Sequence, residues 1–346
     1  MKLKTKTLLV ISAVCSIFFI VMTSLLHIIV MGSYSTLEEN MVSDQITRML
    51  NQFQQEFYTI TQMSYDWSTW NDTYTFVEDK NDEYIQANLQ YESFKDININ
   101  FMFFYNQSNG LVFSKVYDFS QENKIYFPDS LYSLIDEKNE IFLHQANYSN
   151  NYQGFLLYNK TEEPLLISIT PIVHSNKDGP IHGKLITGRF LNQERIDYFK
   201  EINQLSINVY PLSNDTPLLS PNQITSLLEN RFFIQPINTT YIVGYTVIDD
   251  IFGNPLLLQV GSNREIYNQG LAVLQNLFIF LFITTFFLVI TTIFILDKFV
   301  TSRLAVFSKS LGEIQDYQDL SKHIVITGDD EVSALGKNIN IMLTSI

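Results

Sequence analysis

Side chains able to do chemistry are few and scattered in this sequence. Between residues 32 and 270 the histidines are His144, His174 and His182, and cysteine is absent. His174 and His182 stand eight apart across Gly179-Pro180, a weak spacing for a metal site that needs several convergent ligands. No Gly-x-Ser-x-Gly nucleophile motif occurs, while a Ser-His-Asp set assembled by the fold stays open. The densest cluster is Tyr65-Asp66-Trp67-Ser68-Thr69-Trp70-Asn71-Asp72-Thr73-Tyr74. Trp67, Trp70 and Tyr74 are three and four apart, which predicts one helix face. Such a face can line a ligand pocket, with Asp66 and Asp72 orienting the ligand. Alternatively it covers a sheet as core, and the two carboxylates bond local amides. Arg189 offers a planar fork to a carboxylate ligand or to one of the local acids. The chemistry expected of these residues is binding. No catalytic residue, metal or cofactor is expected.

The elements that position them begin with two apolar runs. Leu8 to Met31 contains no acid, Lys or Arg, and Leu277 to Leu296 contains no charge. About 20 apolar residues of helix cross a hydrocarbon core roughly 30 Å thick. A cleaved signal peptide is the rival for the first run, given Lys2, Lys4 and Lys6. The apolar stretch is too long for that, and no small-x-small site follows Met31. Lys2, Lys4 and Lys6 precede the first run, and Lys298, Arg303 and Lys309 follow the second, so both ends are expected in the cytoplasm. The net charge is −14; residues 1–7 carry +3 and residues 297–346 carry −2, leaving −15 between them. That balance argues against a nucleic-acid partner, which needs a basic face. The single cysteine, Cys15, excludes an intrachain disulfide, so the outer region must rely on its own core.

Beyond the first run, Val42, Ile46, Met49, Phe53, Phe57 and Ile60 recur at helical spacing, and no Pro or Gly interrupts residues 33–77. One long helix through the aromatic cluster to Val77 is predicted. Its stripe packs on a sheet, on a partner helix, or on both along different parts. A polar stretch, 78–83, follows. Asn100–Tyr105 and Leu111–Tyr117 flank the turn cluster Asn106–Gly110, which predicts a β-hairpin. Further strands are expected at 154–158, 165–173, 184–190, 207–210, 241–247 and 256–260, with helices at 193–201 and 223–228. The fold class expected is α+β, an antiparallel sheet behind a long N-terminal helix. Six Asn-x-Ser/Thr triplets, at Asn71, Asn106, Asn147, Asn159, Asn214 and Asn238, are what an Asn-rich chain makes by chance.

The run Tyr65 to Val77 resembles the signature of the CHASE (type 4) extracellular sensing domain, with its Asp-Trp-x-x-Trp-x-Asp-Thr-Tyr-x-Phe pattern. Thr170-Pro171-Ile172, and Gly179-Pro180-Ile181-His182-Gly183 on to Arg189, resemble later blocks of that family. The likeness covers about residues 60–215 and implies a PAS-like or Cache-like sheet. It implies no particular ligand.

After the second run, Val300, Leu304, Phe307, Leu311 and Ile314 keep a narrow seam. A connector, Tyr317–Gly328 with Leu320, Ile324 and Ile326, leads to a second seam of Val332, Leu335, Ile339, Met342 and Ile346. Two such helices cannot bury their seams alone, so a four-helix bundle across two chains is expected. With Gly328-Asp329-Asp330-Glu331 opening the second helix, the segment resembles a HAMP linker, though it lacks a Pro near Leu304. Leu304, Phe307, Leu311, Glu331, Leu335, Ile339 and Met342 are the expected coupling residues.

The organisation expected is a tail (1–7), a span (8–31), an extracytoplasmic sensing domain (32–270), a span (271–296) and a cytoplasmic HAMP domain (297–346). The chain is expected to be a homodimer through its HAMP and ectodomain helices. It would sense a small-molecule or protein stimulus and relay it to a kinase, cyclase or partner output. No phosphoacceptor His block, nucleotide-binding Gly motif or GGDEF-type loop occurs, so the expectation is a fragment, a truncated product or an adaptor, not an enzyme. The alternatives are a membrane-anchored extracytoplasmic enzyme and an adhesion protein.

Overall fold

The computed structural model describes residues 3–119, 131, 133–135, 152–157, 164–212, 218–317, 324, 328 and 330–345. His144, the triplets at Asn147, Asn159 and Asn214, and most of the 317–328 connector lie outside them. The chain forms two compact units, residues 37–265 and residues 1–36 with 266–346.

In the first of these, helix α1 (Leu3–Ser68) supplies the predicted stripe. Val42, Ile46, Met49, Phe53, Phe57 and Ile60 are all buried. Helices α2 (Asn71–Asp79), α3 (Asp82–Asn88) and α4 (Tyr91–Asp96) follow. The single helix expected to Val77 is therefore broken. Trp70 has extended backbone (φ −80°, ψ 138°) and caps α2. The Ser68 and Thr69 hydroxyls donate back to the Tyr65 carbonyl, and the Ser68 carbonyl accepts from the Val173 N–H at 3.0 Å. A distant loop thus takes the carbonyl that a continuing helix would use, while the two hydroxyls add local bonds to Tyr65. Lys80 in left-handed conformation ends α2, and the Asn81 side chain caps α3.

Strands β1 (Phe101–Asn106), β2 (Leu111–Val116), β3 (Tyr152–Leu156), β4 (Leu165–Ile172) and β5 (Gly183–Phe190) make an antiparallel sheet in the order β2-β1-β5-β4-β3. The predicted hairpin closes because Asn106 Oδ1 accepts from the Ser108 and Gly110 amides. After α5 (Gln193–Asn203), strands β6 (Ser206–Pro211), β7 (Phe233–Pro236), β8 (Tyr241–Asp249) and β9 (Pro255–Asn263) form a second antiparallel sheet, β6-β9-β8-β7. Helix α6 (Pro221–Asn230) precedes β7, with a Ser220/Gln223 capping box and Pro221 in its first turn. The single sheet expected is therefore two. Phe155 of β3 meets Asp250 in an isolated bridge, and the Ile251 N–H donates to the Phe155 carbonyl at 2.9 Å.

The two faces of β5 do different things. Leu185 joins the core built on the α1 stripe, and Ile186 joins a second core with Phe101, Phe103 and Tyr105. Lys184, one residue before Leu185, is 1% exposed, with its Nζ 5.0 Å from the Tyr105 ring centre. Burial lowers its pKa from 10.5 to about 8. Between those values the unfolded chain holds more protons, so this group adds stability as pH rises through that window. Below about 8 both states are protonated and the burial cost is complete. The stability difference between the native chain and Lys184→Met is expected to move by roughly 3 kcal/mol in favour of the native chain from about pH 7 to about pH 11. Urea unfolding of the detergent-solubilised chain across that range measures it; a flat difference would refute the assignment.

The other unit contains residues 3–36 of α1, then α7 (Glu265–Leu296), a π-helical turn (Asp297–Thr301), α8 (Ser302–Tyr317) and α9 (Glu331–Ser345). Both helices that carry the apolar runs are long and apolar enough to cross a membrane. Phe19 and Phe282 meet edge to face, with ring centres 6.3 Å apart. Phe307 and Ile324 are buried, with Leu311, Ile339 and Leu343 packed on them. Asn340 grips the Ile324 backbone, accepting from its N–H at 2.8 Å and donating to its carbonyl at 2.9 Å. Arg303 pairs with Asp330 and donates to the Ser333 hydroxyl at 2.9 Å. Asp330 also accepts from the Ser333 amide, and these hydrogen bonds, the amide's foremost, lower its pKa to about 2. Of the other expected coupling residues, Leu304 is half-buried, whereas Glu331, Leu335 and Met342 are exposed.

Candidate functional site

Helix α1 carries two carboxylates on its buried side, Glu38 and Glu56. Eighteen residues of helix make five turns, so the two share one face about 27 Å apart along the axis. Each is held by arginine from a different part of the fold. Glu38 is 1% exposed, and its Oε2 accepts from Arg264 Nε at 3.0 Å and Nη2 at 2.8 Å. Arg264 directly follows β9 and also donates to the Asn238 carbonyl at 3.2 Å. Glu56 Oε2 accepts from Arg189 Nη1 at 2.8 Å and from Arg195 Nη2. Arg189 comes from β5 and Arg195 from the first turn of α5. One face of α1 is thus fastened to the five-stranded sheet by Glu56 and to the end of the four-stranded sheet by Glu38.

The Arg189 guanidinium also donates through Nε to the Asn98 carbonyl and through Nη2 to the Ile97 carbonyl at 3.3 Å. Burial lowers its pKa, and Glu56 opposes that shift. Further along, α1 meets β4 through hydroxyls. Thr61 Oγ1 donates to Ser168 Oγ at 2.9 Å, and Ser64 Oγ lies 2.8 Å from Thr170 Oγ1.

The aromatic cluster sits elsewhere. It ties the α1–α2 break to the β4–β5 connection. Trp67 and Trp70 stack with ring centres 5.1 Å apart, Trp67 buried and Trp70 exposed. The Tyr74 ring lies 3.6 Å from the His174 ring and 4.0 Å from that of His182. Asn71 Oδ1 accepts from the Ser175 amide at 3.1 Å and lies 3.1 Å from His174 Nδ1. Glu78 contacts His182 Nε2. The two imidazoles with the weak metal spacing pack instead against Tyr74. Asp66 and Asp72 are exposed.

The residues that the sequence singles out therefore fall into two groups. Trp67, Trp70 and Tyr74 gather at the helix break and the β4–β5 connection, and the break takes them off a common helix face. Arg189 stands apart, on Glu56. Periodicity and motifs do not single out Glu38, Glu56, Arg195 or Arg264. One signal for Glu56 exists, its place within the apolar stripe beside Phe53, Phe57 and Ile60. An acid there must be paired or face a wet cavity.

Residues 52–210 match the model of the CHASE4 domain. Over 338 residues the chain is 27% identical to the methanogenesis regulatory histidine kinase FilI of Methanothrix harundinacea (strain 6Ac), a match covering 97% of this chain and 36% of that protein. The chain thus spans about a third of the length of that kinase. A domain of a putative sensory box/GGDEF family protein from Vibrio parahaemolyticus is 15% identical, with a TM-score of 0.46, covering 67% of this chain and 99% of that domain. The periplasmic domain of Vibrio cholerae LuxQ is 10% identical, with a TM-score of 0.41, covering 64% of this chain and 99% of that domain. The likeness expected over residues 60–215 holds for the CHASE4 part, which the match places at residues 52–210.

Proposed function

We propose that this chain is the input and transmembrane-coupling part of a receptor acting as a homodimer. Residues 32–270 sense an extracytoplasmic stimulus with a PAS/Cache-like fold, segments 8–31 and 271–296 cross the membrane, and both ends are cytoplasmic. Residues 297–346 form a HAMP bundle that relays the change to a kinase, cyclase or partner output beyond these residues. The observation that carries this reading is the continuity of α1. One unbroken helix bears the apolar run and also the two carboxylates that fasten it to the sensing fold. A change in the hold on Glu38 or Glu56 is a change in the hold on a membrane-crossing helix. A stimulus works here only by favouring one of two such arrangements. Leu335 is exposed on a helix whose Ile339 packs inward, which suits a second copy of α9. The kinase named for the relative in Methanothrix harundinacea supports a kinase output.

Single cysteines in a Cys15→Ser background test the topology. Ser108→Cys, exposed on the β1–β2 turn, is expected to react with an impermeant maleimide on intact cells, and Ala334→Cys only after permeabilisation. Oxidation of Leu335→Cys is expected to give a symmetric cross-linked dimer. Labelling of both sites on intact cells would remove the relay, and monomer alone at position 335 would remove the bundle.

A further inference from the structure

We propose that the polar cavity beside Glu56 is a binding site for a small monocarboxylate, which competes with Glu56 for Arg195. The inference deepens the receptor reading, on which its signalling consequence rests; the binding itself does not depend on it.

The cavity has a volume of about 260 Å³ and lies among α4, β5 and α5, lined by Lys95, Asn98, Arg189, Asn192, Arg195 and Tyr198 among others. With a water's share of liquid volume near 30 Å³, that is space for roughly eight waters or a small organic acid. Three cations, Lys95, Arg189 and Arg195, and one carboxylate, Glu194, line it, and Glu56 pairs with both arginines from behind the lining. Glu56 uses a single oxygen for both guanidiniums. Lys95 lies over the Tyr91 ring at 5.7 Å and forms no ion pair among the described residues. The local balance is one positive charge in excess, which suits a monoanion.

Arg195 supplies the pointer to a ligand. Its Nε is buried and has no hydrogen-bond partner among the described residues. Buried donors are almost always paired, and each exception needs a cause. The Arg195 guanidinium lies against Tyr198 and Phe199, 4.7 and 5.2 Å from their ring centres, which restricts its plane. Once Nη2 leaves Glu56, Nε and the terminal nitrogens make a planar fork that a carboxylate fills with two hydrogen bonds. Phe119, Phe190 and Tyr198 offer apolar surface for the body of the acid. A carboxylate on Arg195 draws it from Glu56 and so loosens the grip on α1. Next along that helix the contacts are the hydroxyl pairs Thr61–Ser168 and Ser64–Thr170, which can exchange partners over a small displacement.

The test is thermal unfolding and calorimetric titration of the full chain in detergent with acetate, benzoate and phenylacetate, against benzamide and sodium chloride at equal ionic strength. At least one carboxylate is expected to raise Tm and bind saturably, and benzamide is not. Arg195→Gln should abolish the effect, and Lys95→Gln, at an exposed position, should weaken it while leaving the fold intact. Glu56→Gln, which removes the internal competitor, should tighten binding by about tenfold, one charge contact's worth. The proposal is overturned if none of the three acids binds, if benzamide matches them, or if both Arg195→Gln and Lys95→Gln bind like the native chain. Such a failure leaves the cysteine labelling untouched, so the two readings stand or fall separately.

Discussion

A valine in place of Gly183 is expected to leave the chain without its five-stranded sheet. Gly183 opens β5 at the centre of that sheet, opposite Asn106 of β1 and Ile172 of β4. A Cβ there would overlap the Tyr105 carbonyl oxygen and come within 3.0 Å of its carbon and 3.2 Å of Asn106 Cα. All three atoms are backbone, so no rotamer change relieves the overlap. Relief requires β1 to part from β5. Overpacking that side chains can absorb costs roughly 1–3 kcal/mol, and a clash with backbone in a central strand exceeds that. Against a total stability on the order of 5–15 kcal/mol, the unit of residues 37–265 should be largely unfolded. The protein's two tryptophans, Trp67 and Trp70, flank the Ser68–Thr69 break, and Ser68 is bonded to Val173 in the connection leading to β5. Their emission therefore reports the loss without added denaturant. Gly312→Ala, which meets nothing within 4 Å, is the control expected to fold. A Gly183→Val chain with native emission and an unchanged urea midpoint would overturn this account of Gly183.

Removing the Glu38 carboxylate is the second large effect. Glu38→Ala leaves Arg264 charged and largely buried, with the two donors that Glu38 serves deprived of that acceptor. Breaking one half of a buried pair costs about 3–5 kcal/mol, because the remaining charge is stranded. Replacing both partners by apolar residues costs much less by the same reasoning. Glu38→Ala is therefore expected to lower the unfolding free energy by about 3–5 kcal/mol, and Glu38→Leu with Arg264→Met to recover most of it. Chemical unfolding of the native chain, Glu38→Leu, Arg264→Met and the double variant, followed by circular dichroism, gives the coupling. A loss below about 1 kcal/mol, the range of a surface pair, would mean that the clasp is solvated and holds nothing.

The features legible in the residue order are those made by short-range forces. The hairpin at Asn106–Gly110 can be read because the Asn106 side chain bonds amides two and four residues on. Helices α3 and α4 cannot, since seven and six residues are too few to show a helical period. Strand β7, four residues long, is hidden for the same reason. The break at Ser68–Trp70 carries no Pro or Gly signal. It depends on the Val173 amide, far along the chain, reaching the Ser68 carbonyl.

The apolar runs, the buried stripe of α1, the charge asymmetry and the resemblance to a sensing domain all follow from residue order alone. They are properties of near neighbours, and a helical period needs no partner to be read. The division of the strands into two sheets and the departure of Trp70 from its helix arise only from long-range packing. So does the meeting of Glu38 and Glu56 with arginines 226 and 133 positions away. Periodicity tells which face of a helix is buried and is silent on what buries it. A charge on that face becomes a clasp only when the folded chain brings its counter-charge into the same dry volume.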